Sequence, residues 1–195
     1  MAGSVRVGVL ALQGAFREHV LALEVLGVQA LAVRLPQQLA DLDGLIIPGG
    51  ESTAISKLME SYGFYDPIRA RVSEGMAVWG TCAGAILIAK CVVDGIPGQR
   101  GLELLDIDVR RNAFGRQFDS FEVNLDFASM DEPYLGVFIR APRIERVGEG
   151  VEVLATHEKS IVAARQGRLM ATSFHPELTG DLRIHRYFVK SVIGE

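Results

Sequence analysis

The sequence predicts an α/β fold with a mostly parallel central sheet that carries an antiparallel extension. In the first half of the 195-residue chain, short apolar runs alternate with amphipathic segments, the pattern of a parallel sheet flanked by helices. In the second half, strand-like runs are joined by turns instead of helices, which indicates antiparallel pairing. Since the length suits one core and no repeat or linker divides the chain, residues 1–195 are predicted to form a single domain.

The first half begins with a buried strand and continues as strand–helix alternation. Apolar residues at helical spacing over residues 18–26 predict a helix, which Gly27 ends. Ser52 or Thr53 is expected to cap the helix that follows the third strand, and a helix through Lys90 follows the fourth. The predicted strands of this half are residues 5–10, 30–33, 45–47 and 77–79.

The second half contains six strand-like runs before a final helix, predicted at residues 182–192. Because turns connect the runs, we expect them to extend the sheet with antiparallel strands. The runs are residues 104–109, 121–125, 137–139, 151–154, 161–164 and 169–172.

Composition and charge indicate a soluble intracellular protein. Acidic and basic residues are mixed along a chain of net charge −4, without the basic stripe that a nucleic-acid-binding protein needs. Cys82 and Cys91 are too few for a disulfide framework and lack C-x-x-C spacing, so a reducing, cytoplasmic setting is expected. The longest apolar stretch, residues 82–89, is too short to span a bilayer, and the N-terminus lacks a signal-peptide pattern.

Residues 80–84, G-T-C-A-G, have the G-x-C-x-G form of a nucleophile elbow. A sharp strand-to-helix turn pushes the central side chain outward, and flanking glycines avoid steric collision. The turn places Cys82 at a helix N-terminus, where unpaired N–H groups favour a thiolate, and directs the Ala83 N–H at the reacting centre. The alternative is that Cys82 is a small buried apolar residue in a Gly/Ala-rich turn, which is the only interpretation for Cys91.

A thiol nucleophile needs a base, and the S-F-H-P-E segment at residues 173–177 supplies the best candidate among four histidines. This segment follows a predicted strand, where α/β proteins place functional loops. A carboxylate at Glu177 would hold the imidazole tautomer of His175 while the other ring nitrogen faces the cysteine. A surface loop with a chance histidine and glutamate is the alternative. Of the remaining histidines, His19 and His185 are expected to be solvated on amphipathic helices, and His157 is predicted to lie in a turn.

Residues 48–52, P-G-G-E-S, form the third candidate part of a site. Two glycines after a strand allow the backbone to approach a ligand closely, and the Gly50 N–H is a candidate second oxyanion donor. In isolation the segment is equally well explained as a strand-to-helix turn with a serine cap. The presence of all three parts in one chain favours a catalytic site over coincidence.

With these motifs the chain resembles the class I, triad-type glutamine amidotransferases. The resemblance covers essentially the whole chain and implies a three-layer, flavodoxin-like fold. Further segments narrow it to one subgroup, the glutaminase subunits of pyridoxal 5′-phosphate synthases, and the 111–117 block is more specific than the triad motifs. These segments are L-Q-G-A at 12–15, R-N-A-F-G-R-Q at 111–117, V-F-I-R-A-P at 137–142 and residues 173–178.

The resemblance implies a role for each matching residue. Cys82 is the nucleophile, His175 the general base and acid, and Glu177 the carboxylate that orients it, while Gly50 and Ala83 supply the oxyanion hole. Glutamine then loses ammonia through a glutamyl thioester, without a metal or organic cofactor. An arginine suits the α-carboxylate of glutamine, although solvated surface charge is the commoner role of arginine, and which of two arginines binds it stays open. The implied glutamine-binding residues are Gly50, Glu51, Ser52, Arg111, Ile139 and Arg140.

The resemblance also implies a partner chain. Ammonia in neutral water is quickly protonated, so a biosynthetic glutaminase should deliver it through a closed path to an acceptor. By resemblance the acceptor is the barrel-type pyridoxal 5′-phosphate synthase subunit of a hetero-oligomeric complex, with Gln13 either sensing that contact or acting as a simple loop amide. The alternatives are a glutaminase subunit of another enzyme such as imidazole glycerol phosphate synthase, a different cysteine hydrolase on a similar scaffold, or a non-catalytic interaction module.

Overall fold

Within residues 5–96, 98–111 and 120–194, which the computed structural model describes, a ten-stranded sheet forms the centre of the protein. Two more strands form a separate small sheet. The motif residues 112–117 lie outside the described residues. The strands are β1 (Arg6–Leu10), β2 (Gln29–Val33), β3 (Gly44–Ile47), β4 (Ala77–Thr81), β5 (Ala89–Val92), β6 (Leu105–Arg110), β7 (Ser120–Leu125), β8 (Tyr134–Ile139), β9 (Arg143–Val147), β10 (Glu152–His157), β11 (Ser160–Gln166) and β12 (Leu169–Thr172).

Helices connect the strands of the first half and close the chain. No helix in the described part of the chain combines the length and apolarity that crossing a membrane requires. The α-helices are α1 (Phe16–Val25), α2 (Ser52–Ser61), α3 (Tyr65–Ser73), α4 (Ala83–Ile88) and α5 (Arg183–Ile193), with short 3₁₀ helices at Pro36–Leu39 and Pro176–Leu178.

The order of strands in the main sheet is β2-β1-β3-β4-β12-β11-β9-β6-β5, and β10 pairs with β11 off this path. All neighbours from β2 to β12 are parallel. Beyond β12, strand β11 is antiparallel to each strand it pairs with. The predicted α/β class, a mostly parallel sheet with antiparallel strands added, is therefore confirmed. Because β3, β4 and β12 run in the same direction, the residues that follow them meet at one end of the sheet.

The sheet is covered on both faces, which gives the three layers implied by the resemblance. Leu45 and Ile47 of β3 belong to the apolar cluster that includes Met59 of α2. Ile46, between them, belongs to the cluster on the other face, which includes Phe188 of α5. Alternate side chains thus enter opposite cores, so the central strands read as continuous apolar runs in the sequence.

Several predicted elements are wrong in detail. The helix expected through Lys90 ends at Ile88, because the chain then enters β5, where Ala89 pairs with Leu105 of β6. The runs at 121–125 and 137–139 belong to the antiparallel β7–β8 pair instead of extending the main sheet. This pair packs its own apolar side chains, among them Leu125 and Phe138, on one of the two cores. Strand β9 and helix α3 occupy segments in which no element was predicted.

Two smaller predictions about side chains are also wrong. The N-cap of α2 is Glu51, not Ser52 or Thr53, because its carboxylate reaches back to accept hydrogen bonds from the N–H groups of Thr53 (3.0 Å) and Ala54 (2.7 Å). Cys91 is exposed instead of buried, since β5 is an edge strand of the sheet.

Candidate active site

The cysteine elbow is the strand-to-helix turn that the G-x-C-x-G spacing predicts. Cys82 lies between β4 and α4 with φ 48°, an unfavourable region for a non-glycine residue that commonly marks functional sites. The turn is tight: a Cβ on Gly84 would lie 1.9 Å from the carbonyl oxygen of Ile47 in β3. The glycine therefore allows α4 to begin directly against the sheet. Cys82 itself is 7% exposed, and the backbone N–H that follows it is among those at the start of α4 that have no intrahelical partner.

His175 and Glu177 follow β12, the parallel neighbour of β4. The His175 backbone N–H donates to the carbonyl of Val137 in β8, which fixes the loop (2.8 Å). Nδ1 of His175 lies 2.7 Å from Oε1 of Glu177, and since a carboxylate only accepts, Nδ1 carries the proton. The Glu177 side chain is fully buried behind the ring. This arrangement leaves Nε2 for the cysteine, as predicted.

The protonation of His175 reflects its two neighbours. Burial acts to lower the pKa of His175, but hydrogen bonding and charge interaction with Cys82 and Glu177 outweigh it and raise the pKa to about 10. At neutral pH the ring is an imidazolium between a sulfur and a carboxylate. Such a pairing of a cysteine with an imidazolium suits a thiol nucleophile that works beside a proton donor.

The Gly49–Gly50 turn lies directly against this pair. A Cβ on Gly49 would lie 2.4 Å from Cε1 of His175 and 3.3 Å from Cβ of Cys82. The residues after β1 hold the turn from behind: the Ala15 N–H donates to the Gly49 carbonyl (3.1 Å), and Oε1 of Gln13 accepts from the Glu51 N–H (2.9 Å). Gln13 is therefore a direct support of the candidate oxyanion turn.

Two charged residues border the mouth of the site. Although its limited burial opposes the effect, hydrogen bonds from Thr53 and Ala54 and the charge of Arg111 lower the pKa of Glu51. Nη2 of Arg111 lies 3.9 Å from Oε1 of Glu51, and its Nη1 donates to Oε1 of Gln99 (3.2 Å). The predicted binding residues Glu51 and Arg111 are thus brought together as a held pair.

The end of β8 closes the opposite side. The Cys82 thiol lies within weak hydrogen-bonding distance of the Ile139 carbonyl oxygen, with Sγ 3.8 Å away. Arg140, the next residue, has φ 43° and an exposed side chain. A positive φ is an unfavourable conformation for an arginine, of the kind that often clusters at functional sites.

One cavity, of about 420 Å³, is lined by all the residues for which the resemblance implies contact with the substrate. Glu177 is absent from its lining because it lies behind His175. Another cleft, of about 380 Å³, lies between residues 129–132 and α5 and has no cysteine or histidine in its lining, so it offers no such nucleophile. The cavity of about 420 Å³ is lined by Gln13, Gly14, Ala15, Gly49, Gly50, Glu51, Ser52, Cys82, Ala83, Ile86, Arg111, Ile139, Arg140, His175 and Leu178.

Two further histidines near the site were expected to be solvated, and that prediction is wrong. His19 of α1 and His185 of α5 are fully buried. The charged neighbours in the sequence suggested exposure, but helical spacing places His19 with Leu23, and His185 with Phe188, on the faces turned to the core. That spacing is the signal that would have located them. His157, predicted in a turn, is instead the last residue of β10, where it pairs with Ser160 of β11, and the turn begins one residue later.

Comparisons with known proteins show which family the sequence is similar to. The model of the SNO glutamine amidotransferase family matches residues 9–194. The chain is 59% identical to a pyridoxal 5′-phosphate synthase subunit PdxT of Herpetosiphon aurantiacus over 94% of this chain and 98% of that protein. It is 56% identical to the PdxT subunit of Streptomyces coelicolor over 95% and 93%.

Solved structures show the same fold. A crystal structure of a glutamine amidotransferase superposes with a TM-score of 0.91 at 55% identity, covering 95% of this chain and 98% of that one. PurLQS from Thermotoga maritima superposes with a TM-score of 0.72 at 18% identity, covering 98% of each chain, which is a likeness of fold alone.

Proposed function

Because the chain belongs to the SNO glutamine amidotransferase family, we propose that it hydrolyses L-glutamine to L-glutamate and ammonia as the glutaminase subunit of a pyridoxal 5′-phosphate synthase. The observation that carries the catalytic part is the position of His175, paired through Nδ1 with Glu177 at 2.7 Å and interacting on its other side with Cys82. Nucleophile, base and orienting carboxylate in this order form a cysteine triad.

The first half of the reaction forms a thioester. The Cys82 thiolate attacks the side-chain amide carbon of glutamine, and the carbonyl electrons move to oxygen. The N–H groups of Ala83 and Gly50 stabilise this oxyanion, each contributing roughly 10²–10³ in turnover. The imidazolium of His175 gives its Nε2 proton to the nitrogen as the carbon–nitrogen bond breaks. Ammonia leaves, and the glutamyl group stays on sulfur.

The second half restores the enzyme. His175, now neutral, takes a proton from water as the water oxygen attacks the thioester carbon. The carbon–sulfur bond then breaks, which releases glutamate and regenerates the thiolate. Glu177 accepts the Nδ1–H throughout, so the same tautomer and ring orientation serve both steps.

Glutamine binding falls on the rim of the cavity. Arg111 and Arg140 are the candidates for the α-carboxylate, because a guanidinium binds a carboxylate bidentately. Glu51 suits the α-ammonium group, and its exposed carboxylate faces Arg111 across the mouth. The Ser52 backbone and the Ile139 carbonyl complete the set of assigned contacts with substrate.

The acceptor of ammonia is a second chain, the synthase subunit, which we take to be of the barrel type. Gln13 links such a partner to catalysis, since its side chain holds the N–H of Glu51 next to the candidate oxyanion donor Gly50. A partner that moves Gln13 would change the turn on which the oxyanion hole depends. This contact supports the sensing role over a simple loop amide.

Release of glutamate from glutamine, measured with and without the synthase subunit, tests the proposal. We expect low activity alone, stimulation by the partner and no activity in Cys82→Ala, with the exposed Cys91→Ala as matched control that keeps full activity. Unchanged turnover in Cys82→Ala would refute the mechanism. Recovery of a histidine-pathway cyclase instead of the pyridoxal phosphate synthase, when the native protein is purified with its partner, would refute the choice of pathway.

A further inference from the structure

The Glu177 carboxylate lies between two imidazoles. Oε1 accepts from Nδ1 of His175, as described above. Oε2 points the other way, into the core, where it lies 3.3 Å from Nε2 of His19. Within the described residues this buried oxygen has no fully aligned hydrogen bond. A buried carboxylate oxygen requires a donor, so the nitrogen facing it matters for the stability of the anion.

His19 is itself held by a third imidazole. Its Nδ1 lies 2.9 Å from Nε2 of His185, and both rings are fully buried. Trp79 packs edge-on against each of them, with centroid distances of 5.5 and 5.1 Å. Four side chains therefore form a continuous line from the cavity into the core, in the order His175, Glu177, His19 and His185.

The tautomers of His19 and His185 can be inferred from the hydrogen-bonding needs of the Glu177 carboxylate at one end and of Nδ1 of His185 at the other. Burial, followed by the charges of the neighbouring histidines, lowers the pKa of His19, and burial lowers the pKa of His185 to about 4, so both rings are neutral at pH 7. A neutral ring has one donor and one acceptor nitrogen. If Nε2 of His19 is the donor, it faces the carboxylate, and its Nδ1 accepts from Nε2–H of His185. The nitrogen left without a partner is then Nδ1 of His185, as an acceptor.

The opposite assignment, with the proton on Nδ1 of both rings, is less favourable at the Glu177 carboxylate and at His185. A proton on Nδ1 of His19 would turn the Nε2 lone pair toward the carboxylate oxygen, which would then lose this donor, and Nε2 itself would have to accept from the Thr81 hydroxyl 3.4 Å away. It would also place the second proton on Nδ1 of His185, a buried donor without a partner. An unpaired buried donor is rarer in proteins than an unpaired acceptor.

We propose that His19 and His185 are positioning residues that hold the Glu177 carboxylate toward His175, with the Nε2–H tautomer on both rings. The inference rests on the proposed function, because it extends the same triad inward. Neither ring lines the cavity, so their loss should lower kcat and leave KM unchanged.

The kinetic test compares two replacements of His19 in the complex with the synthase subunit. His19→Gln keeps an N–H at the position of Nε2, whereas His19→Leu fills the space without a donor. We expect His19→Leu to lose about tenfold or more in kcat, the usual scale for a residue that orients another one, and His19→Gln to recover most of it. Phe188→Leu, a core change against Trp79, is the matched control and should keep kcat. Equal losses in the two His19 variants, or none in either, would overturn the proposal.

Coupling between the two rings gives a second readout. His185→Leu should lower kcat less than His19→Leu, because it acts only by releasing His19. The double variant should resemble His19→Leu alone, since the line is already broken. Losses that multiply would mean that the two rings act independently, against the proposal.

A third readout needs no activity at all. In ¹⁵N-histidine spectra of the wild-type chain, His19 and His185 should both show a neutral Nε2–H ring at pH 7, and His175 a protonated one. A proton on Nδ1 of His19 would overturn the proposal. If the wild-type complex released no glutamate, the proposed function would fail while this spectrum still decided the arrangement of the line.

Discussion

Gly49 packs so closely against the His175 ring that no side chain fits at this position. A Cβ on Gly49 would lie 2.4 Å from Cε1 of the ring. The absence of a side chain at Gly49 therefore allows the backbone of the turn to pack directly against the imidazole. We expect Gly49→Ala to displace the ring or the turn and to lower turnover by about 100-fold, the effect of a misplacement on the order of 1 Å.

Glutamate release in the complex measures this loss, and circular dichroism shows that the variant is folded. Gly180→Ala is the matched control, because a Cβ there meets nothing within 4 Å. Full activity in Gly49→Ala would show that the Gly49–Gly50 turn does not pack against His175 during catalysis.

Glu177→Gln tests the orienting carboxylate without changing its size. A glutamine amide no longer favours the Nδ1–H tautomer of His175, so kcat should fall by roughly 10²–10⁴ with little change in KM. Steady-state glutaminase kinetics provide the measurement, with Glu158→Gln, in an exposed turn, as control. A loss confined to KM would place Glu177 in substrate binding and contradict the assignment.

The sequence was sufficient for most of the strands, the elbow and the His175 loop, because each rests on local rules: apolar runs, glycine spacing and a loop after a strand. It failed for His19 and His185, whose charged neighbours along the chain concealed a buried helix face. It also failed for the N-cap of α2, which was expected to be Ser52 or Thr53 and is Glu51. The Glu51 error is local, because the capped N–H groups belong to Thr53 and Ala54 and glutamate is a less usual cap residue than serine or threonine. Helical spacing indicates that the two histidines are buried, but their partners, such as Glu177 and Trp79, come from distant parts of the chain that only the fold brings near.

Glu51→Ala should show two separable effects. Loss of the cap hydrogen bonds to Thr53 and Ala54 should lower the free energy of unfolding by about 1 kcal/mol. Loss of the carboxylate at the rim should raise KM for glutamine. Urea denaturation and glutaminase kinetics measure the two, and Glu60→Ala, at the far end of α2, is the control for a change of charge. A variant with unchanged stability would contradict the cap.

The pairing of His175 should appear as a stability that declines at high pH. Its folded pKa, about 10, is above the ordinary value of 6.5, so the folded chain binds more protons than the unfolded chain between these values. The contribution is complete below pH 6.5 and is lost as the pH rises toward 10. Free energies of unfolding at pH 7, 8.5 and 10 should fall more steeply in the wild type than in His175→Gln. Parallel curves would mean that the ring is not held as an imidazolium.

His185 should give the opposite dependence in a different pH range. Burial lowers its pKa from 6.5 to about 4, so between these values the unfolded chain binds the extra proton and stability is lost as the pH falls. The full loss for such a shift is on the order of 3 kcal/mol. His185→Leu removes the titrating group, so its free energy of unfolding should decline less than that of the wild type between pH 6.5 and 4. The matched control, His157→Gln, should keep the wild-type slope, because it leaves the buried pair intact. If the free energy of unfolding declines as steeply in His185→Leu as in the wild type, His185 is not a buried neutral ring, and the line of imidazoles loses the neutral state on which it depends.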